Sequence, residues 1–234
     1  MAKKILKRSL ALGALMAFVI TGSAMAAELD NTTVTNDAEI VTGTYDDLAS
    51  DSVLLKRNVV GSNVVVKDAD ITVNNAGRLT IESIHNGYTL NGGVIQNTKI
   101  VSNGIVDLIN SGADAALCGI HADSHTIVNA KEINIKSNWF GVYISSWGTN
   151  KIDLNAEKIN VDAGAHALYG VSGPITVNAS EELQVTSAGA CAILGGGVNG
   201  SVTINAGTVI AEAEKVSAIG SINNSNVKIV AGSL

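Results

Sequence analysis

A short segment that recurs about every 25 residues constrains the fold of this chain more than any other feature. Each copy is an apolar run that ends in Asn-Ala or Asn-Gly, and the last, degenerate copy has Val230 in place of the Asn. The copies occupy residues 71–76, 99–104, 126–130, 152–156, 175–179, 202–206 and 227–231. Successive marks are 28, 26, 26, 23, 27 and 25 residues apart. Periods of about 20–50 residues are typical of solenoids, propellers and arrays.

Within each repeat, apolar residues alternate with a period of two, which is the period of a β-strand. The residues four and six positions after the Asn are apolar in three repeats: Leu79 and Ile81, Ile133 and Ile135, Ile159 and Val161. Each repeat is interpreted as a strand into the Asn, a second strand, a Gly-rich corner and a third short strand. The sequence therefore predicts an all-β, right-handed, single-stranded parallel β-helix of about seven coils of ~25 residues.

Composition favours this solenoid over its main competitor. Only 3% of the residues are aromatic and a single proline occurs, so a narrow core of Val, Ile and Ala is expected. Leucine-rich repeats share the period and an Asn column, but they carry leucines at fixed positions and often an outer helix. Ile and Val dominate here, and the outer segments alternate like strands.

The recurring Asn residues are predicted to be structural. Asn tolerates left-handed backbone angles better than other non-glycine residues, which suits a corner between strands. Stacked on equivalent corners, the side-chain amides can hydrogen-bond along the column as a ladder. The predicted ladder consists of Asn75, Asn103, Asn129, Asn155, Asn178 and Asn205.

The first 26 residues have the features of a secretory signal peptide. A basic start is followed by an apolar run at residues 10–20 and by the small-x-small pattern Ala24-Met25-Ala26. The chain is therefore expected to be exported to the cell surface, the outer membrane or the medium. Residues 27–55 fit the repeat poorly and are predicted to be an N-terminal cap, and residues 56–234 form the β-helix.

The repeat reaches residue 234 in mid-coil, where apolar core and unpaired strand edges would be exposed. Two explanations remain open: the chain is a fragment whose further coils or C-terminal barrel are missing, or a partner covers this end, including a second copy of the chain. We favour the fragment.

Charge and cysteine content narrow the range of partners. Without the first 26 residues, 11 basic and 21 acidic residues remain, and this acidic balance opposes nucleic-acid binding. The two cysteines, Cys118 and Cys191, fall three coils apart in the repeat, or about 14 Å at the strand spacing. That exceeds the Cα separation of a disulfide, so both are expected to be buried free thiols.

The sequence contains no residues whose predicted positions form a catalytic site. Acidic residues are scattered over different columns, and Arg57 and Arg78 are the only arginines after residue 26. A β-helix polysaccharide lyase or hydrolase, which needs converging carboxylates, is kept as an alternative. Residues 118–125 contain Cys, His and Asp, but their predicted positions do not converge as metal ligands must. No metal and no cofactor are predicted.

One stretch departs from the composition. Both tryptophans, and the only phenylalanine after residue 26, lie within residues 139–147. Strand alternation predicts that Phe140, Val142 and Ile144 point inward. The outward side chains form the candidate ligand-binding patch, which comprises Trp139, Tyr143, Trp147 and Tyr169. Such rings commonly contact sugars or a partner surface; the alternative is that a neighbouring loop or a missing segment covers them.

A signal peptide followed by an acidic, cysteine-poor, Asn- and Gly-rich β-helix resembles the passenger region of Gram-negative autotransporters and of haemagglutinin-like adhesins. The resemblance spans the chain after residue 26 but rests on pattern and composition. It implies a non-catalytic role in attachment or aggregation at a cell surface, with a surface glycan or protein as partner. A structural stalk without a ligand is the remaining alternative. The sequence lacks the amphipathic strands of the C-terminal barrel that autotransporters carry.

Overall fold

The computed structural model is built almost entirely from parallel β-strands. It describes residues 33–35, 41–48, 52–59, 65–74, 77–85, 93–111, 118–121, 125–144, 151–197, 199–223 and 225–234. These residues contain strands and connecting turns but no helix. The predicted all-β parallel solenoid is confirmed.

The strands form three parallel stacks, and the chain visits each stack once per turn. The first stack carries the repeat marks and contains β2 (Val41–Leu48), β4 (Val66–Val73), β7 (Lys99–Ser102), β10 (His125–Asn129), β19 (Asn226–Ser233) and the first halves of β13 (Lys151–Ala163), β15 (Pro174–Ser187) and β17 (Ser201–Ala213). The second contains β1 (Thr33–Thr35), β3 (Ser52–Val59), β5 (Arg78–His85), β8 (Ile105–Asn110), β11 (Glu132–Ser137) and the second halves of β13, β15 and β17. The third contains the start of β4 at Val66 and Lys67, and the strands β6 (Gly93–Gln96), β9 (Cys118–His121), β12 (Phe140–Ile144), β14 (Leu168–Gly170), β16 (Ile193–Gly195) and β18 (Ile219–Ser221).

The solenoid has about five turns, somewhat fewer than the seven coils that the spacing predicts. The turns from β7 to β18 each have a described strand in all three stacks, as does the turn of β4, β5 and β6. Strands β1–β6 and β19 continue the same parallel ladder on either side.

The core is a set of aliphatic columns that run along the solenoid axis. In the second stack, Leu79, Val106, Ile133, Ile159 and Leu183 lie in register and each is 0% exposed. Equivalent side chains stack on one another at the strand spacing of about 4.8 Å, so each turn buries the apolar face of the turn before it. The inward positions predicted four and six residues after the Asn, Leu79 and Ile81, Ile133 and Ile135, and Ile159 and Val161, are therefore confirmed.

The corners at the Asn column differ from the prediction. The strands β13, β15 and β17 run through this corner, and Asn155, Asn178 and Asn205 all have strand conformation. None of them has a positive φ, so the expected left-handed corner is wrong. The chain bends instead at register shifts just after the Asn, between Ala156 and Lys158 and between Ala179 and Glu182. A β-bulge bends a strand without requiring a left-handed residue.

The described parts of the predicted cap, residues 27–55, continue the ladder. Strand β2 pairs in parallel with β4, and β3 pairs in parallel with β5. Leu55 faces the core and is 1% exposed. At the other end, β19 pairs with β17, and several large apolar side chains near it are exposed, among them Ile222 at 47% and Val230 at 53%.

Candidate functional site

Five rings form a cluster on the outer surface of β12 and β14, the aromatic cluster of Trp139, Phe140, Tyr143, His166 and Tyr169. Tyr143 and Tyr169 lie directly opposite each other in the parallel ladder, with ring centroids 5.6 Å apart. Phe140 stacks on Tyr143 at 4.8 Å, and the Trp139 ring lies 5.3 Å from Phe140. All five side chains are half-buried, so each ring packs on its neighbours and still reaches solvent.

Phe140 belongs to this outer cluster, and its predicted inward position is wrong. The alternation shifts by one residue at Gly141, because Gly141 and Val142 are both buried. A Cβ on Gly141 would lie 2.5 Å from the Val161 side chain, so this position has no room for one. The same pattern of a small residue before an aliphatic one recurs at Ala167-Leu168 and at Ala192-Ile193, where all four side chains are 0% exposed. This repeated pair was the sequence signal for the shift.

Phe140, His166 and Cys191 each lie two residues before strand positions that pair in register with one another. The three residues therefore occupy one column on successive turns. His166 Nδ1 lies 3.2 Å from the Cys191 carbonyl oxygen, and its ring stacks 5.8 Å from Phe140. Burial disfavours the imidazolium and lowers the His166 pKa, although the bond to the carbonyl opposes the shift. Burial also raises the pKa of Tyr169 and of the Cys191 thiol.

The prediction that both cysteines are buried free thiols is confirmed in part. Cys191 is a free thiol, but it is half-buried on the outer surface and does not face the core. Cys118 pairs in register with Phe140, which places it three turns before Cys191, as the repeat predicts. The Cys118 side chain lies outside the described part of the structure. The same shift at the small residue explains why Cys191 faces outward.

Three of the four residues predicted as the ligand-binding patch, Trp139, Tyr143 and Tyr169, lie together in the aromatic cluster. Trp147 lies outside the described residues. Phe140 and His166 join the patch although the sequence analysis did not assign them to it. Between them they connect Trp139 to the tyrosine pair, since Phe140 contacts the Trp139 ring and His166 lies 4.6 Å from Tyr169.

Four of the six predicted ladder residues form a continuous chain of side-chain hydrogen bonds. Asn155 Nδ2 donates to Asn129 Oδ1 at 2.7 Å, Asn178 Nδ2 donates to Asn155 Oδ1 at 2.7 Å, and Asn205 Nδ2 donates to Asn178 Oδ1 at 2.8 Å. The bonds all point the same way along the axis, and Val230 continues the column. The Asn side chains therefore support the stack.

Asn103 is not part of this ladder. Val101, two residues earlier, is the residue in register with Asn129, and Asn103 Nδ2 donates instead to the Asn74 carbonyl oxygen at 2.7 Å. Thr72 precedes Val101 in the column, and Asn75 lies outside the described residues. The early turns have, on average, more residues between the register mark and the second stack than the later turns have. The shared Asn-Gly motif therefore does not show which residues pair.

A second feature of the outer surface was missed by the sequence analysis. Arg78 forms an ion pair with Asp107, whose side chain is only 9% exposed. Thr80 Oγ1 and Asn134 Nδ2 donate to the same carboxylate at 3.3 and 3.0 Å. The sequence analysis did not place Asp107 beside Arg78. Strands β5 and β8 pair in parallel, so residues 29 positions apart in sequence become diagonal neighbours.

His125, at the end of the segment with Cys, His and Asp, makes a different contact. His125 Nε2 lies 2.8 Å from Asp153 Oδ2, and Lys151 Nζ lies 2.7 Å from the same oxygen. Burial raises the Asp153 pKa, but the bonds from Lys151 and His125 outweigh it and lower that pKa overall. Among the described residues, no three His, Cys, Asp or Glu side chains group as metal ligands.

Comparisons of this chain with protein-family models, with curated proteins and with solved structures find no match. The class of protein is therefore defined by the fold and the surfaces described above. The chain is a parallel β-solenoid with an exposed aromatic cluster. No helix within the described ranges has the length and hydropathy to cross a membrane.

Proposed function

We propose that this chain is an exported, adhesin-like β-solenoid that attaches to a surface glycan or protein through the aromatic cluster and catalyses no reaction. The observation that carries this proposal is the packing of four half-buried Trp, Phe and Tyr rings and the His166 ring on one face of a chain in which only 3% of residues are Phe, Trp or Tyr.

The cluster has properties that suit ligand binding. Each stacked or tilted ring pair is worth about 0.5–1.5 kcal/mol, so the rings hold one another in place before a ligand arrives. A preorganised surface loses little conformational entropy on binding. Flat rings cover the apolar faces of sugars or the apolar side chains of a protein, and the tyrosine hydroxyls add hydrogen bonds at the rim.

Export and surface location are part of the proposal and rest on the N-terminal sequence. The signal-peptide pattern of residues 1–26 and the acidic remainder of the chain support them. Stacked turns that share one continuous core form a stiff rod, and such a rod can hold the cluster away from the surface that bears it.

The β-helix polysaccharide lyase or hydrolase is the second candidate, and the Arg78–Asp107 pair favours it. Asp162 lies on the same stack as Asp107, two turns further along, and both acids are engaged by neighbouring side chains. A glycosidase needs two carboxylates free to act on one bond. If purified protein releases new reducing ends from polysaccharides, and Asp107→Asn abolishes this, the non-catalytic assignment fails.

Cell binding tests the proposal. Fluorescently labelled protein is incubated with epithelial and bacterial cells, and binding is measured by flow cytometry for wild type, Trp139→Ala, Tyr143→Ala and the control Ile222→Ala. Ile222 is 47% exposed near the far end of the solenoid. The proposal predicts that Trp139→Ala and Tyr143→Ala each bind cells at least tenfold more weakly than wild type, a loss of about 1.4 kcal/mol. Ile222→Ala is expected to bind as wild type does, and all three variants are expected to keep the circular dichroism spectrum of the wild type. Binding that the ring variants leave unchanged, or no binding by wild type, would support a stalk without a ligand.

A further inference from the structure

A groove on the outer face of the second stack lies apart from the aromatic cluster. It has a volume of about 450 Å³ and runs across successive turns of β5, β8, β11, β13 and β15. Its floor is a column of polar side chains, Asp107, Asn134, Asn160 and Gln184, which occupy equivalent positions in successive turns. Because one turn rises about 4.8 Å, the groove from Arg78 to Gln184 is about 19 Å long.

Hydrogen bonds fix the first three floor side chains. Asn134 Nδ2 donates to Asp107 Oδ1 at 3.0 Å and to Glu132 Oε1 at 2.9 Å. Asn160 Nδ2 in turn donates to Asn134 Oδ1 at 2.8 Å. Each amide is oriented by the turn before it, so the polar atoms that face the groove are held in place without a ligand.

The chain of bonds stops before the end of the groove. Within the described residues, Asn160 Oδ1 and the Gln184 side-chain amide have no protein hydrogen-bond partner. Together they offer acceptors and N–H donors on adjacent turns. A hydroxyl group is both a donor and an acceptor and can pair with either.

The charges that line the groove cancel. Arg78 is paired with Asp107, and Lys136 lies in register with Asp162 on the next turn, which gives two cations and two carboxylates. A ligand with a net charge would be attracted by the two groups of opposite charge and repelled by the two groups of the same charge. An uncharged ligand with many hydroxyl groups meets no such repulsion.

We propose that this groove binds a linear, uncharged oligosaccharide that lies along the solenoid axis. The regular rise of the floor side chains matches a polymer that offers hydroxyl groups at regular intervals along a straight path. Asn160 and Gln184 make the ligand contacts, and Asp107 and Asn134 position Asn160. This site is independent of the aromatic cluster, because the two surfaces belong to different stacks.

Isothermal titration calorimetry with cellohexaose, maltohexaose, xylohexaose and mannohexaose tests the proposal on the purified protein. At least one of these neutral chains is expected to bind, and Asn160→Ala and Gln184→Ala are each expected to weaken its binding about threefold to tenfold, the value of one hydrogen bond. The control Thr203→Ala removes an outward side chain from the first stack and is expected to leave the affinity unchanged.

Further outcomes would overturn the proposal. These are binding of none of the four hexasaccharides, equal affinity for wild type and both groove variants, or preferential binding of an anionic hexagalacturonate. Trp139→Ala must also leave the hexasaccharide affinity unchanged, since loss of binding there would place the ligand on the aromatic cluster. Cell binding that is lost only in the ring variants tests the proposed function separately.

Discussion

The side-chain amide of Asn178 donates a 2.7 Å hydrogen bond to Oδ1 of Asn155 on the preceding turn. Asn155 donates an equally short bond to Asn129, so it is an inner member of the ladder with two side-chain bonds. Both residues are half-buried. The ladder therefore ties adjacent turns together at the corner where the strands bend.

Asn155→Ala is expected to destabilise the fold by about 1–3 kcal/mol, because it removes two hydrogen bonds and leaves a half-buried amide of Asn178 without its acceptor. Urea unfolding followed by circular dichroism measures this. Asn103→Ala is the matched control, since Asn103 is exposed and bonds a backbone carbonyl outside the ladder. Equal losses in the two variants would show that the ladder adds no stability.

Thr126→Val is expected to stabilise the protein by about 1 kcal/mol. Thr126 is 0% exposed, and its hydroxyl has no hydrogen-bond partner among the described residues. It lies in register with Ile152, so a methyl group would meet an apolar neighbour there. Valine has the same shape and removes the cost of burying an unpaired hydroxyl. A lower urea midpoint than wild type would show that Thr126 has a partner in solution.

Gly141→Ala is expected to destabilise the protein by about 1–3 kcal/mol, the usual range for overpacking. The new Cβ would lie 2.7 Å from the Ala167 carbonyl oxygen, which belongs to the backbone and cannot move aside cheaply. Gly220→Ala is a useful comparison, because its Cβ would meet the ends of the Leu194 and Cys191 side chains, at 3.1 and 3.4 Å. A smaller loss for Gly141→Ala than for Gly220→Ala in thermal unfolding would contradict this explanation.

Acid should destabilise the aromatic cluster through His166. Its pKa is lowered in the folded protein, so the unfolded chain binds the proton more readily. The free energy of unfolding therefore falls as the pH drops below about 6.5, the pKa of histidine in the unfolded chain. Above that pH, His166 contributes nothing to the pH dependence of stability. His166→Gln should remove this part of the pH dependence between pH 7.5 and 5. Parallel stability profiles for wild type and His166→Gln would contradict the shift.

The core and the stacking could be predicted from sequence because each turn repeats the same alternation. Leu79, Ile133 and Ile159 recur at one position after the Asn and lie in one column. The outward position of Phe140 could not be obtained from a strict period of two, because the buried glycine beside it shifts the alternation by one residue.

The groove was missed for a different reason. Arg78 and Asp107 are close only because of the exact pairing of two turns. The Asn-Gly motif at Asn103 gave a register that is two residues away from the true mark, Val101. Contacts between side chains on neighbouring turns depend on register, and insertions of one or two residues at a corner change them.

Hydroxyl-radical footprinting of cell-bound and free protein, read by mass spectrometry, tests the central claim most directly. It reports which side chains a ligand covers without requiring that the ligand be known. The proposed function predicts that Trp139, Tyr143 and Tyr169 are modified several times more slowly in the bound protein, while Ile222 is modified at the same rate in both. Equal modification of the three rings in bound and free protein would show that the aromatic cluster is not the attachment surface.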